Sequence, residues 1–522
     1  MYDLILRGGL IVDGTGEKPW VGNVCIQDGK IAAVTQKAAE AVETVDVTGL
    51  AVAPGFIDTH SHADTSHLMG ETPYSQVAQG VTTEIAGNCG TSVMPALEDG
   101  LEELNKHMSS KKGTEAWMSV SDYAAEGNEK GACMNYGTLI GHSTLRLAVM
   151  GFVNRDPDEK EMAQLKALLD REMARGAFGM SLGLIYPPSA FSKKEELVEL
   201  AKVVAKHDGI LAVHMRNEGA RILEAVDEMI YIAEQSGVHV HLSHLKLMGK
   251  PQWGKHPILL EKIDAARARG VRITCDQYPF PASSTGLSAL VPHWAHEGGN
   301  EAMVKRLQAR EGDICQGIAK EMENRGGPQA ILVANTYGQQ PQWEGKYISQ
   351  LMEAFSLNAV DTVLKVLIGC GGRAFCVYFS MCREDMLAIM SKMFINVGSD
   401  GASLSHDKNV TAYVPHPRYF SAFVRFFQTV REENLMPLEK AVYKVTALPA
   451  ATLGITDRGM LKPGMVADIT VFDPDTIGTK ADFMESRVWP DGVPHVLVGG
   501  EFSIRNGKPT GKLPGSVILK TK

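Results

Sequence analysis

Residues 55–64, GFIDTHSHAD, run from an apolar, strand-type segment straight into two histidines, His60 and His62. On a strand, residues two apart face the same side, so both imidazoles can point at one place. Alone, the pair also fits surface or hydrogen-bonded core histidines. Its weight comes from seven further apolar runs along the chain, several of which end the same way: TTEIAGN (82–88), YGTLIGH (136–142), FGMSLGL (178–184), GILAVHM (209–215), VHLSHL (240–245), VRITCDQY (271–278) and FINVGSD (394–400). Amphipathic stretches such as EKEMAQLKALLDREMARG (159–176) and KKEELVELAKVVAKHDG (193–209) separate several of them. Eight strand-type runs alternating with helix predict an α/β architecture, a (β/α)8 TIM-type barrel or an open doubly wound sheet.

The residues at the strand ends favour the barrel. Cys89 closes the second run, His214 and His244 close two later ones, and Asp400 ends the last. Taken singly, each has a plain structural reading: a buried thiol, a strand cap, a turn carboxylate before glycine. Together with His60 and His62 they sit where a barrel gathers its active site, at the C-terminal mouth. Imidazole, thiolate and carboxylate are the ligand set of zinc.

The two ends of the chain read differently. DLILRGGLIVDG (3–14) and GNVCIQDGKIAAV (22–34), and at the far end GMVADITVFDP (464–474) and HVLVGGEFSIRNGK (495–508), are strand-and-hairpin language. Neither half can bury a core alone. The expectation is one small β-sandwich domain built from 1–54 and 455–522, a barrel over 55–454, and a lid-like insertion at about 281–345. The insertion is expected because more than a hundred residues separate Tyr278 from Asp400, beginning with the Pro/Ser/Gly-rich PFPASSTG.

Composition excludes several classes. With 52 basic and 61 acidic residues the net charge is -9, without long blocks of one sign, which argues against nucleic-acid or anionic-membrane partners. No apolar run approaches the ~20 residues of a membrane span, and MYDLILRGG lacks a signal-peptide pattern, so a cytoplasmic location is expected. The eight cysteines are scattered, against a disulfide framework. Oligomeric state is left open.

These stretches, with QGVTTEIAGNCG (79–90), GLIYPPSAFS (183–192), HMRNEG (214–219), HLSHLK (241–246), CDQYPFPASST (275–285), PHPR (415–418) and GMLKPGMVADITVFDP (459–474), resemble the N-acyl-D-amino-acid deacylases of the amidohydrolase superfamily over nearly the whole chain. The resemblance implies hydrolysis of a small N-acylated D-amino acid, with one tight zinc held by Cys89, His214 and His244 and a second, weaker metal position at His60 and His62 that Cys89 could bridge. Many superfamily members bridge two metals through a lysine on the fourth strand; AFGMSLGL (177–184) has none, and Cys89 resembles its replacement. Asp400 is implied as the proton shuttle. Lys246, Tyr278 and Ser283 match the positions that hold the substrate carboxylate, a cation and two hydroxyls. Arg216 and Glu218 are expected to buttress the site, and Arg383 is a further candidate for a carboxylate. Ser283–Glu297 contains no Arg or Lys but carries Leu287, Leu290, Val291 and Trp294, with His293 and His296 its only candidate cations; this predicts a preference for neutral or apolar side chains. A cyclic, hydantoin-like amide or a small dipeptide is the alternative substrate. A barrel that has lost catalysis and serves as a structural protein is the other, and the retained ligand set counts against it.

Overall fold

The computed structural model describes residues 1–68, 72–97, 117–407 and 413–521. Each of the eight apolar runs forms a strand: β1 (Phe56–Asp58), β2 (Val81–Ala86), β3 (Asn135–Thr138, continued by Ile140–Gly141), β4 (Gly179–Gly183), β5 (Ile210–His214), β6 (His239–Leu242), β7 (Ile273–Gln277) and β8 (Ile395–Val397). Neighbours pair in parallel in chain order, β7 with β8 directly across the insertion. Between β8 and β1 the ring closes at the strand ends: Ser61 bridges Gly401, His62 N–H donates to Gly401 O (2.6 Å) and Asp400 N–H to His60 O (2.8 Å). This closure, which an open sheet would lack, makes the fold a barrel. The surrounding helices are cut by local chemistry; Glu159–Ala174, for example, starts at a reciprocal Asp158–Glu161 capping box.

Strands from both ends of the chain share one nine-stranded sheet around a core containing Leu6, Ile26, Val52 and Ile469. A bridge between Lys30 and Val466 brings the sheet's outer strand back to the segment preceding Ile469–Phe472, so the sheet curls over its own apolar face. Two C-terminal segments leave this domain. The tail from Pro514 to Lys520 runs along the barrel, bonding Tyr136 and Gly176, and Phe483 reaches Phe280, Phe379 and His416.

The insertion is longer than its composition suggests. Ser283–Gly286, Ile331–Asn335 and Phe375–Tyr378 form an antiparallel sheet in which the last strand pairs with both others, so the unit continues to Tyr378 instead of ending near 345. Four helices, Gly299–Ala309, Ile314–Asn324, Ile348–Phe355 and Ala359–Gly369, cover it. Leu287, Leu290 and Val291 are buried in its separate core, with Trp294 packed against them. No helix among the described residues is long and apolar enough to cross a membrane.

Candidate metal centre

The barrel mouth brings the strand-end residues together. Sγ of Cys89 lies 3.3 Å from His60 Nε2, 3.7 Å from His214 Nδ1 and 3.6 Å from His244 Nε2. Asp400 Oδ1 is 3.5 Å from His60 Nε2 and 3.1 Å from His62 Nε2. Cys89, His244 and Asp400 all take positive φ (51°, 39° and 49°), an unfavourable region for side-chain-bearing residues. Their neighbourhoods hold them there. Gly90 N–H donates to Ser181 Oγ, His244 N–H to Asp276 Oδ1 and Asp400 N–H to His60 O. The left-handed turns swing the three side chains off their strands toward the barrel axis.

Outer residues set the state of these ligands. His60 Nδ1 meets Asp276 Oδ2 (3.1 Å), which leaves Nε2 to face Cys89. Asp276 also accepts from His241 Nε2 (3.0 Å). Burial alone would raise the Asp276 carboxyl, but His60 and His241 outweigh it and hold the group well below its ordinary range. The same contest at Cys89 sets burial against His60, His214 and His244, and leaves the thiol well below its ordinary value, as a thiolate. Orienting partners of this kind fix the tautomer of a metal-binding histidine.

The donor set fits a divalent metal. His60, Cys89, His244 and Asp400 form one cluster and His214, Glu218 and His244 another, with the ligand atoms of each within 4.8 Å of one another. Thiolate sulfur, imidazole nitrogen and carboxylate oxygen together suit zinc. The clusters share His244, and Cys89 of the first also lies 3.7 Å from His214 of the second, so the geometry does not divide the ligands into the tight and weak sets implied by the resemblance. Glu218 Oε1 lies 2.9 Å from His244 Nδ1, and its carboxylate also belongs to the second cluster. Arg216 does buttress, pairing with Glu228 (3.0 Å) and donating to Ala190 O and Ser192 O.

The centre opens into a cavity of ≈ 800 Å³ whose lining includes Lys246, Tyr278 and Ser283. Lys246 is buried, and its ammonium already meets Glu218 Oε1 (2.5 Å), His244 O (2.8 Å) and His244 Nδ1 (2.8 Å). Arg383 is a different case. It begins the helix Arg383–Met390 on the outside of the barrel, half exposed and paired with Glu433 (2.6 Å), and it does not line the cavity.

A second buried cation at the centre is Arg418, from the PHPR segment, whose role the sequence did not reveal. Its Nη1 is 2.7 Å from Asp400 Oδ2, and its guanidinium lies 5.1 Å from the centre of the Tyr278 ring. His416 fixes the turn: its Nε2–H donates to Ala282 O, and its Nδ1 accepts from Arg418 N–H. Burial would raise the Asp400 carboxyl, yet Arg418 and the histidines hold it well below its ordinary range. Tyr186, in the GLIYPP segment, was missed likewise. Its ring meets His214 edge-on at 4.9 Å and its hydroxyl bonds Thr285 Oγ1 at 2.8 Å.

A barrel mouth holding this thiolate–imidazole–carboxylate cluster is that of a metal-dependent amidohydrolase, and residues 43–316 and 399–504 match the amidohydrolase family. The chain belongs to that family, in its N-acyl-D-amino-acid deacylase branch. It is 32% identical to D-aminoacylase of Alcaligenes xylosoxydans xylosoxydans, covering 100% of this chain and 98% of the relative. The solved structure of N-acyl-D-glutamate deacylase from Bordetella bronchiseptica, complexed with zinc and a phosphonate mimic of the tetrahedral intermediate, is 30% identical, with a TM-score of 0.84 over 99% of both chains. A structure of D-aminoacylase with a binuclear metal centre is 31% identical, with a TM-score of 0.84 over 100% of both chains.

Proposed function

We propose that the protein hydrolyses the amide bond of N-acyl-D-amino acids with zinc, releasing a carboxylate and the free D-amino acid. The observation that carries this is Asp400, facing the cavity beside the Cys89 cluster and ionised between Arg418 and His62. Zinc held by Cys89, His214 and His244 would polarise the acyl carbonyl and make water nucleophilic at neutral pH. Asp400 accepts the proton of the attacking water and returns it to the departing nitrogen. Tyr278 and Ser283 supply hydroxyls for the substrate carboxylate, with the Lys246 ammonium behind them. His60 and His62 would hold a second, weaker metal beside the tight one. A panel of N-acetyl D- and L-amino acids given to zinc-loaded enzyme tests the reading. Acetate release from D-forms is expected; release from L-forms only, or ring opening of a hydantoin added to the panel with no acetate from any N-acetyl amino acid, would replace it.

Side-chain preference depends on what lines the cavity. Leu287, Leu290, Val291 and Trp294, the basis for expecting an apolar preference, pack into the insertion's own core. The insertion instead turns Ser288, Asn335 and Arg373 to the cavity together with Ala289, Ala334, Tyr337 and Phe375. That mixed lining does not favour an apolar side chain over a polar one. Identities of 32% and 30% to relatives named for the two activities do not choose between them. Comparing kcat/KM for N-acetyl-D-glutamate and N-acetyl-D-methionine does; a higher value for methionine would restore the apolar preference.

A further inference from the structure

A buried polar chain behind the centre has no part in the reaction as described. Arg146 donates from Nη1 to both carboxylate oxygens of Glu196 (2.8 and 2.6 Å). Glu196 meets His142 Nε2 at 2.8 Å, and His142 Nδ1 meets Ser189 Oγ at 2.7 Å. A carboxylate only accepts, so it takes the Nε2 proton, and Nδ1 is left to accept from the Ser189 hydroxyl. All four side chains are buried, and none lines the cavity. The trio has the composition of a hydrolytic triad, but a serine without access to the cavity cannot attack a substrate.

What the chain does reach is the turn carrying Tyr186. Ser189 Oγ accepts from Gly183 N–H (3.4 Å), at the end of β4. Tyr186 N–H donates to Gly183 O and Ala190 N–H to Tyr186 O, so the residue is bonded on both sides within this turn. Gly183 lies so near Cys89 that a Cβ there would come within 2.1 Å of Cys89 O. From the fixed turn, the Tyr186 ring stands against His214 and its hydroxyl holds Thr285, on the first strand of the insertion.

We propose that Ser189, His142, Glu196 and Arg146 form a positioning relay that fixes Tyr186 and, through Thr285, sets the insertion wall against the metal centre. None of the four is a catalytic residue; they act through Tyr186. The kinetic part rests on the deacylase reading; the coupling between turn and insertion does not.

Ser189→Ala is the mildest test, with His142→Phe as a second way to cut the relay. At full zinc content, both should lower kcat by about tenfold to a hundredfold, the scale of a small misplacement, with KM little changed. Ser189→Ala/Tyr186→Phe should be no slower than Tyr186→Phe, because both act on one path. Amide hydrogen exchange should rise in Ser189→Ala both across 183–192 and across 283–286. An unchanged kcat, additive losses in the double variant, or faster exchange confined to 183–192 would each overturn the proposal. Should wild-type enzyme hydrolyse no N-acyl amino acid, the deacylase reading falls, and the exchange measurement alone decides the relay.

Discussion

Nη1 of Arg418 stands 2.7 Å from Oδ2 of Asp400, while His62 Nε2 stands 3.1 Å from Oδ1 of the same carboxylate. Arg418 lies 18 residues after Asp400 along the chain and His62 338 residues before it. Arg418 is fully buried, so the pair is shielded from solvent screening. Arg418→Met would leave a buried carboxylate without its cation, and breaking such a pair costs ~3–5 kcal/mol. Chemical denaturation should show that loss. Stability within ~1 kcal/mol of wild type would mean the pair contributes little.

Asp400→Asn separates proton transfer from metal binding. The amide keeps the shape and cannot take a proton, so turnover should fall by roughly 10²–10⁴ while zinc content stays unchanged. Metal analysis beside kcat reads this directly. Zinc lost in step with activity would make Asp400 chiefly a ligand.

Cys89 is the one sulfur in the centre and touches three imidazoles. Cys89→Ala should lose both zinc retention and activity, whereas Cys89→Ser should keep the fold and bind zinc more weakly. Elemental analysis after dialysis measures both. A fully active, metal-free Cys89→Ala protein would remove the metal assignment.

Lys444 predicts a pH dependence remote from the centre. Its ammonium is buried and donates to Met390 O and Lys392 O (2.5 and 2.6 Å). Burial pushes its pKa from the ordinary 10.5 down to about 7. Below pH 7 both folded and unfolded chains carry the proton, and the folded state bears the full cost of the buried charge. Between about 7 and 10.5 the unfolded chain holds the extra proton, so this contribution makes stability rise with pH, by at most ~1.4 kcal/mol per unit. Denaturant titrations from pH 7.5 to 9.5 should therefore give a steeper rise for wild type than for Lys444→Met. Equal slopes would show that Lys444 stays charged in the folded state.

Periodicity and strand-end chemistry were local, so the sequence by itself determined the eight barrel strands, the shared terminal β domain and the residues His60, His62, Cys89, His214, His244 and Asp400. Each is an apolar run followed by a polar residue, a pattern written within a few positions. Arg418, Asp276 and Tyr186 lie within the segments PHPR, CDQYPF and GLIYPP, yet nothing nearby in sequence distinguishes a buried arginine on a carboxylate from a solvated one. Arg383 shows the converse, since it was a candidate for a carboxylate on charge alone while the barrel turns it outward to Glu433. The insertion makes the same point on a larger scale: whether Leu287 and Val291 face a substrate depends on helices up to 80 residues away that close a second core over them. Tertiary structure decided these matters because burial and ion pairing depend on the sum of long-range contacts, and no window of sequence contains that sum.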